Sequence, residues 1–291
     1  MFNISRLLIF LALAPVMSGI YLINTNTQSK PARDDSAAEK LGWRLGMQCW
    51  TLRDRTCFEA IETSARLGIK YTELFPGQIL SKDHPNVKVG ELSEEQQKLL
   101  IDKLKSHSVK AVSYGVVNPA NNEKETRKIF EFAKALGLEN ISCEPAEDAL
   151  GLVEKLCAEY SIKAAIHNHP KPSHYWNPDT VLRNIKDRNK WIGACADTGH
   201  WSRSGLVPVE CLKKLEGRIV ELHFKDIENN EDRPWGTGKG DARTMLTELK
   251  RQGFRGLINI EYETGSGKEL EANVTKCIEF FDRIAGELSG K

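Results

Sequence analysis

The sequence predicts an α/β protein folded as a (β/α)8 barrel, and two observations carry that prediction. Apolar strand-like runs alternate with helix-like stretches from about Leu45 to the C-terminal region, and eight such pairs follow one another. Alternation of this kind gives a parallel sheet with helical crossovers, and eight units close it into a barrel. The four last runs also end in side chains with hard nitrogen or oxygen donors: His167, Asp197, His223 and Glu261. Barrel enzymes carry their chemistry at the C-terminal ends of their strands.

The elements come in order. A strand over Leu45 to Trp50 opens the domain, and Thr56 to Leu67 has apolar residues at helical spacing. The run Ile69 to Phe75 stops at the turn signal Pro76-Gly77. Ser93-Glu-Glu-Gln96 is a capping box that starts the helix carrying Leu99, Leu100 and Leu104. Val109 to Val117 is β-branched and apolar, and the next helix, through Phe130 and Leu136, ends at Gly137. Then come Glu139 to Glu144 with a helix to Tyr160, Ile162 to His167 with a helix over Asp179 to Ile185, and Trp191 to Asp197 leading into a loop. A helix over Val209 to Leu215 precedes Ile219 to Lys225, and a helix over Ala242 to Arg251 precedes Leu257 to Glu263. The last helix carries Leu270, Val274, Ile278, Phe281 and Ile284 on one stripe. An open doubly wound sheet is the alternative, but the first strand-to-helix turn, Trp50-Thr-Leu-Arg-Asp54, lacks the glycines of a dinucleotide fingerprint.

The N-terminus has one positive charge, Arg6, before an apolar run to about Ile23 and a polar stretch from Asn24. Residues 1–25 therefore read as a signal peptide or an N-terminal anchor, residues 26–40 as a polar leader, and 41–291 as the barrel. The expected location is exported: periplasmic, or anchored and facing outward. The net charge of +1, with 41 basic and 40 acidic residues interspersed, argues against a nucleic-acid partner. A small, weakly charged substrate fits better. Membrane contact is expected only through the N-terminal segment, and a homo-oligomer is compatible with the sequence. The seven cysteines include no CxxC, and Cys49, Cys143 and Cys195 lie in apolar runs. They read as buried structural thiols.

The strand ends collect Trp50, Glu73, Tyr114, Glu144, His167 with His169, Asp197 with His200, His223 with Lys225, and Glu261 with Glu263. Any one of them alone is most simply a satisfied core or loop residue. Successive strands ending in His167, Asp197, His223 and Glu261 instead make a ligand set for one divalent transition metal: Mn, Co, Fe, Ni or Zn. Such an ion polarises a sugar carbonyl so that a nearby carboxylate can take the adjacent proton. Trp50 is a candidate for stacking on the sugar face. His169 is a candidate for touching substrate or bracing His167. Gly236-Thr-Gly238 is a weak phosphate cradle, because short glycine loops are usually turns.

Four segments, Asp197-Thr-Gly-His200, His223-Phe-Lys-Asp226, Gly236-Thr-Gly238 with Gly240-Asp241, and Ile260-Glu-Tyr-Glu263, resemble the xylose isomerase-like TIM-barrel superfamily. That superfamily includes sugar isomerases and epimerases, inosose isomerase and dehydratase, and endonuclease IV, and the likeness runs from about Leu45 to Leu288. The resemblance implies metal ligands at Asp197, His223 and Glu261. It also implies that His200 and Lys225 act on substrate oxygens. The fifth-strand glutamate of the epimerases is replaced here by His167. Glu144, one strand earlier, is then either the second base paired with Glu261, a ligand, or a substrate contact. The endonuclease pattern fails, since Asp232-Arg233 is followed by Pro234 where that enzyme has histidine, and the second and third strands end in Glu73 and Tyr114.

The expected function is an exported, metal-dependent sugar isomerase or epimerase working through an enediolate of a keto or hydroxy sugar. One alternative is a keto-glycoside lyase or hydrolase working by β-elimination, which needs one base where epimerisation often uses two. The other is a catalytically inactive sugar-binding module.

Overall fold

A computed structural model describes residues 33–290. The expected signal or anchor, and the leader as far as residue 32, lie outside the described residues. Eight parallel strands form one sheet: β1 (Trp43–Gln48), β2 (Tyr71–Leu74), β3 (Lys110–Tyr114), β4 (Asn140–Cys143), β5 (Lys163–His167), β6 (Ile192–Asp197), β7 (Ile219–Phe224) and β8 (Gly256–Ile260). They lie in the order β3-β2-β1-β8-β7-β6-β5-β4. Between the two end strands, the Glu139 amide donates to Val112 O (2.9 Å) and the Val117 amide to Ser142 O (3.1 Å), so the barrel is nearly closed. Gly115 permits that approach: a Cβ there would lie 1.9 Å from Ser142 Oγ.

The helices are α1 (Ser36–Leu41), α2 (Cys57–Arg66), α3 (Glu94–Ser106), α4 (Glu123–Ala135), α5 (Leu150–Tyr160), α6 (Pro178–Ile185), α7 (Thr198–Arg203), α8 (Pro208–Lys214), α9 (Ala242–Arg251) and α10 (Gly267–Ser289). Capping boxes open α2, with Thr56 and Glu59, and α3, with Ser93 and Gln96. Asn177 caps α6, and Pro178 occupies its first turn. Among the described residues, no helix is long and apolar enough to cross a membrane.

Strand alternation separates two interiors. On β7, Leu222 and Phe224 join the hydrophobic cluster packed beneath the helices, and on β8 Ile258 and Ile260 do the same. The alternate residues Glu221, His223, Asn259 and Glu261 are buried too, but they meet other polar groups from across the barrel. The barrel axis is therefore a polar column. At its lower level Glu221 accepts from Ser113 Oγ (2.8 Å) and Asn140 Nδ2 (3.3 Å). One level up, Glu73 accepts from His223 Nε2 and Asn259 Nδ2, each at 2.8 Å, and from Ser142 Oγ. Above that lie Asp197, Glu261 and Lys225.

Three details differ from the sequence reading. Residues 33–40, taken as leader, are part of the fold. Arg33 pairs with Asp282 of α10 at 2.6 Å, Lys40 donates to Ser289 O at 2.7 Å, and Ala38 is buried. Polar composition hid this because the stretch packs through ion pairs and one small apolar residue. Asp197 leads into α7 where a loop was expected. Two small hairpins, Ile79–Ser81 with His84–Lys88 and Asp226–Glu228 with Glu231–Arg233, decorate the strand ends. All seven cysteines are buried and free; burial pushes the Cys49 thiol up to about 11, so it stays protonated.

Candidate metal and active site

Register puts the ligand set together. Asp197 pairs directly with His223, His223 with Asn259, and His167 with Cys195, one inward residue below Asp197. Glu261 follows the last paired residue of β8. One donor atom from each of His167, Asp197, His223 and Glu261 lies within 4.8 Å of every other, and all four residues are buried.

Each ligand is held from behind. Asp197 is the N-cap of α7: its Oδ1 accepts from the His200 amide at 2.7 Å, while the Asn168 side chain bonds its backbone N–H and C=O, each at 2.9 Å. His167 Nδ1 lies 3.0 Å from Glu144 Oε1. Burial opposes ionisation of Glu144, yet the bonds from His167 and His169 hold its carboxyl well below the usual range. An ionised carboxylate only accepts, so His167 carries its proton on Nδ1 and turns Nε2 toward Asp197. His223 is held the other way round, with Nε2 on Glu73 and Nδ1 3.0 Å from Glu261 Oε2. Within this cluster His167 Nε2, His223 Nδ1 and Glu261 Oε2 are buried without a hydrogen bond, although the Lys225 ammonium lies 2.7 Å from the last of them. Two imidazole nitrogens without hydrogen bonds, facing the carboxylates of Asp197 and Glu261, are a donor set that fits a divalent transition metal and does not suit calcium or a thiol-selective ion.

Lys225 enters this centre from β7. It is 1% exposed, and its ammonium lies 2.7 Å from both Asp197 Oδ2 and Glu261 Oε2. Burial alone would strip its proton, but the surrounding carboxylates keep it charged. Conversely, Lys225 and His223 hold Glu261 ionised against burial. This placement corrects the expectation that Lys225 meets substrate, because its side chain is spent between two carboxylates and does not line the cleft.

The cleft is a cavity of about 540 Å³ above the ligands, lined by Trp50, Phe75, Val116, His167, His169, His200, Glu261 and Glu263, among others. Trp50 and Phe75 meet edge to face at 4.9 Å and make its aromatic wall. Trp50 Nε1 donates to Glu263 Oε1 at 3.2 Å, which fixes the ring. His200 is pushed down to about 2 by burial, so it stands neutral. Arg203 Nη1 lies 3.1 Å from His200 Nδ1 and can only donate, which leaves the His200 proton on Nε2. Arg203 in turn is clamped by Asp232 (3.0 Å) and Glu263. Glu144 does not line this cavity. Its Oε1 takes His167 Nδ1 and both the ring and the amide of His169, and its Oε2 takes Ser173 Oγ at 3.1 Å. The expected base is thus a brace for two histidines. The loop from Gly236 to Gly240 is no phosphate cradle either, since the amides of Gly236, Gly238 and Gly240 all donate to Asp226.

With this geometry the comparisons are decisive. A family profile described as Xylose isomerase-like TIM barrel matches residues 55–284. The chain belongs to the xylose isomerase-like TIM-barrel family. The fold is similar to that of an uncharacterised protein from Parabacteroides distasonis, 34% identical, with 83% of this chain and 99% of that one aligned and a TM-score of 0.69. It is also similar to a D-tagatose 3-epimerase-like protein (19% identity, 84% and 98% covered, TM-score 0.67). A third similar structure is an IOLI protein with a bound zinc atom (17%, 84% and 99%, TM-score 0.65). At those identities the last two show the shared fold alone. No curated protein sequence matches the chain.

The four residues that the sequence reading grouped as candidate ligands do lie together in this xylose isomerase-like barrel, and Trp50, His169 and His200 line the cleft. The sequence reading missed Arg203, Asn168 and Asn259, and it noted Glu73 only as a strand end. A basic residue three positions after His200 was the one visible signal for Arg203. Its partners Asp232 and Glu263 are 29 and 60 residues away.

Proposed function

We propose that this barrel is a metal-dependent enzyme acting on a small carbohydrate, which removes the proton beside a carbonyl to give an enediolate, as in sugar isomerisation. The observation that carries the reading is the convergence of His167 Nε2 and His223 Nδ1, buried and without hydrogen bonds, with the carboxylates of Asp197 and Glu261 beside the cleft. Structural similarity to D-psicose 3-epimerase and L-ribulose 3-epimerase supports a sugar-modifying chemistry. A bound divalent ion such as Mn, Co, Fe, Ni or Zn would polarise the carbonyl and hold the neighbouring hydroxyl.

The chain supplies the rest. Glu261, ionised and in the cleft wall, takes the proton. His200, in the cleft wall, bears its proton on Nε2, 3.4 Å from Asp197 Oδ2, and would turn that donor to a substrate oxygen, while Trp50 with Phe75 receives the apolar sugar face. Because Glu144 is engaged by two histidines, one base faces the substrate. That favours proton transfer on a single face over epimerisation by two opposed bases.

The same count admits β-elimination from a keto-glycoside, and one observation favours it as a second reading. A second cavity of about 500 Å³, lined by Glu144 itself with Asn118, Pro145, His174 and Tyr175 among others, could take a leaving group. Incubation with ketoses and 3-keto-glycosides in D2O separates the two. Deuterium in recovered sugar without cleavage supports isomerisation, whereas a released aglycone replaces it with elimination. His223→Ala and Glu261→Gln should each lose metal, measured by plasma mass spectrometry, together with turnover. Full turnover in either would remove that residue from the site. We read residues 1–25 as an export signal or anchor, which N-terminal sequencing of the protein from cell fractions would test.

A further inference from the structure

The carboxylate of Glu73 is completely buried, yet among the described residues no lysine or arginine pairs with it; its ion-pair contact is with His223. Its three donors are Asn259 Nδ2 and His223 Nε2 on Oε2, both at 2.8 Å, and Ser142 Oγ on Oε1. Burying a carboxylate is costly unless its lone pairs are filled, and these three contacts come from β8, β7 and β4. Each is prepared by the fold. Asn259 stands directly opposite His223 in the β7–β8 ladder. Gly46 on the other neighbour, β1, leaves room for the Asn259 side chain, since a Cβ there would lie 2.4 Å from its Oδ1. Ser142 sits beside Gly115, where β3 and β4 come together.

We infer that Glu73 is a positioning residue of the metal centre: by accepting Nε2–H of His223 it fixes the imidazole in the tautomer that presents Nδ1 to the metal. Two facts point the same way. His223 Nδ1 has no hydrogen bond and lies 3.0 Å from Glu261 Oε2, on the ligand side, whereas Nε2 is turned away into the column. His167 shows the same device in mirror image, with Nδ1 on Glu144 and Nε2 without a hydrogen bond. A carboxylate behind a ligating imidazole fixes ring orientation and raises ligand basicity, and its loss costs roughly 10- to 100-fold in metal affinity. The two braces differ in access. Glu144 is partly exposed and shared with His169, while Glu73 is sealed and serves one imidazole. Glu73 touches neither the cleft nor a substrate, so its effect on turnover passes entirely through His223.

This inference rests on the metal reading above, and zinc binding separates the two. Zn2+ affinity is measured on the full chain by competition with a chromogenic chelator, for wild type and for Glu73→Gln, which keeps the shape and removes the charge. The expected result is weaker binding by roughly 10- to 100-fold in Glu73→Gln. Equal affinity would overturn the role of Glu73 while leaving the metal site standing. No zinc binding by wild type would overturn both. Should Glu73→Gln fail to fold, nitrogen NMR of ¹⁵N-histidine-labelled, zinc-loaded wild type decides. His223 bound through Nδ1 with a proton on Nε2 supports the assignment, and ligation through Nε2 refutes it. A merely structural Glu73 would lower the thermal stability of Glu73→Gln while leaving its zinc affinity at the wild-type value.

Discussion

Asp197 serves two elements at once. It ends β6 and caps α7, so the oxygen accepting from the His200 amide and the oxygen facing His167, His200 and Lys225 belong to one rigid carboxylate. His200 follows from that cap, and its usefulness as a donor depends on which nitrogen bears the proton. Arg203 settles this by donating to Nδ1. Replacing Arg203 with Gln should therefore lower turnover by up to about 100-fold through misorientation of His200, with metal content unchanged. Steady-state kinetics beside metal analysis checks it, and unaltered kcat would remove Arg203 from the mechanism.

At the scale of elements, the period of two in β7 and β8 does most of the sorting. One side of each strand feeds the hydrophobic layer under the helices, and the other feeds the polar column. A one-residue slip of either strand would send His223 or Glu261 to the wrong side. The join between β3 and β4 has little tolerance, because Ser142 O is 2.4 Å from where a Cβ of Gly115 would lie. Gly115→Ala should cost about 1–3 kcal/mol by overpacking, read as a lower urea midpoint at unchanged slope. It should also disturb Glu73 through Ser142.

Glu221 makes the stability of the whole molecule pH-dependent. Burial, and then the nearby Glu73 carboxylate, push Glu221 up to about 8. Its folded value lies above the unfolded value of 4.5, so the native state holds this proton more tightly. The stability it contributes is complete below about pH 4.5 and is lost as pH rises through about 8. Glu221→Gln should flatten the fall in unfolding temperature between pH 5 and pH 8.5, measured by calorimetry, and an unchanged slope would refute the assignment. The terminal clasp is a second global feature. Trp43, 1% exposed, donates to Phe254 O at 3.1 Å and packs against Phe281 of α10, next to the pairing of Arg33 with Asp282. Trp43→Ala should cost about 3–5 kcal/mol, while deletion of residues 33–41 should lower the unfolding midpoint without removing metal.

Sequence alone determined the barrel and the candidate ligand set, because both are written locally. Alternating apolar runs report strands and helices, and a donor placed where a run ends reports a strand tip whatever it faces. His167, Asp197, His223 and Glu261 were legible for that reason. The tertiary structure decided what each polar residue is spent on. Whether Glu144 is a base or a brace, whether Lys225 meets substrate or two carboxylates, and whether Glu73 is bystander or support depends on partners 23, 28 and 150 residues away. A carboxylate or ammonium reads the same in sequence whether it is free or paired. Register across the barrel fixes its neighbours, and the neighbours fix its chemistry.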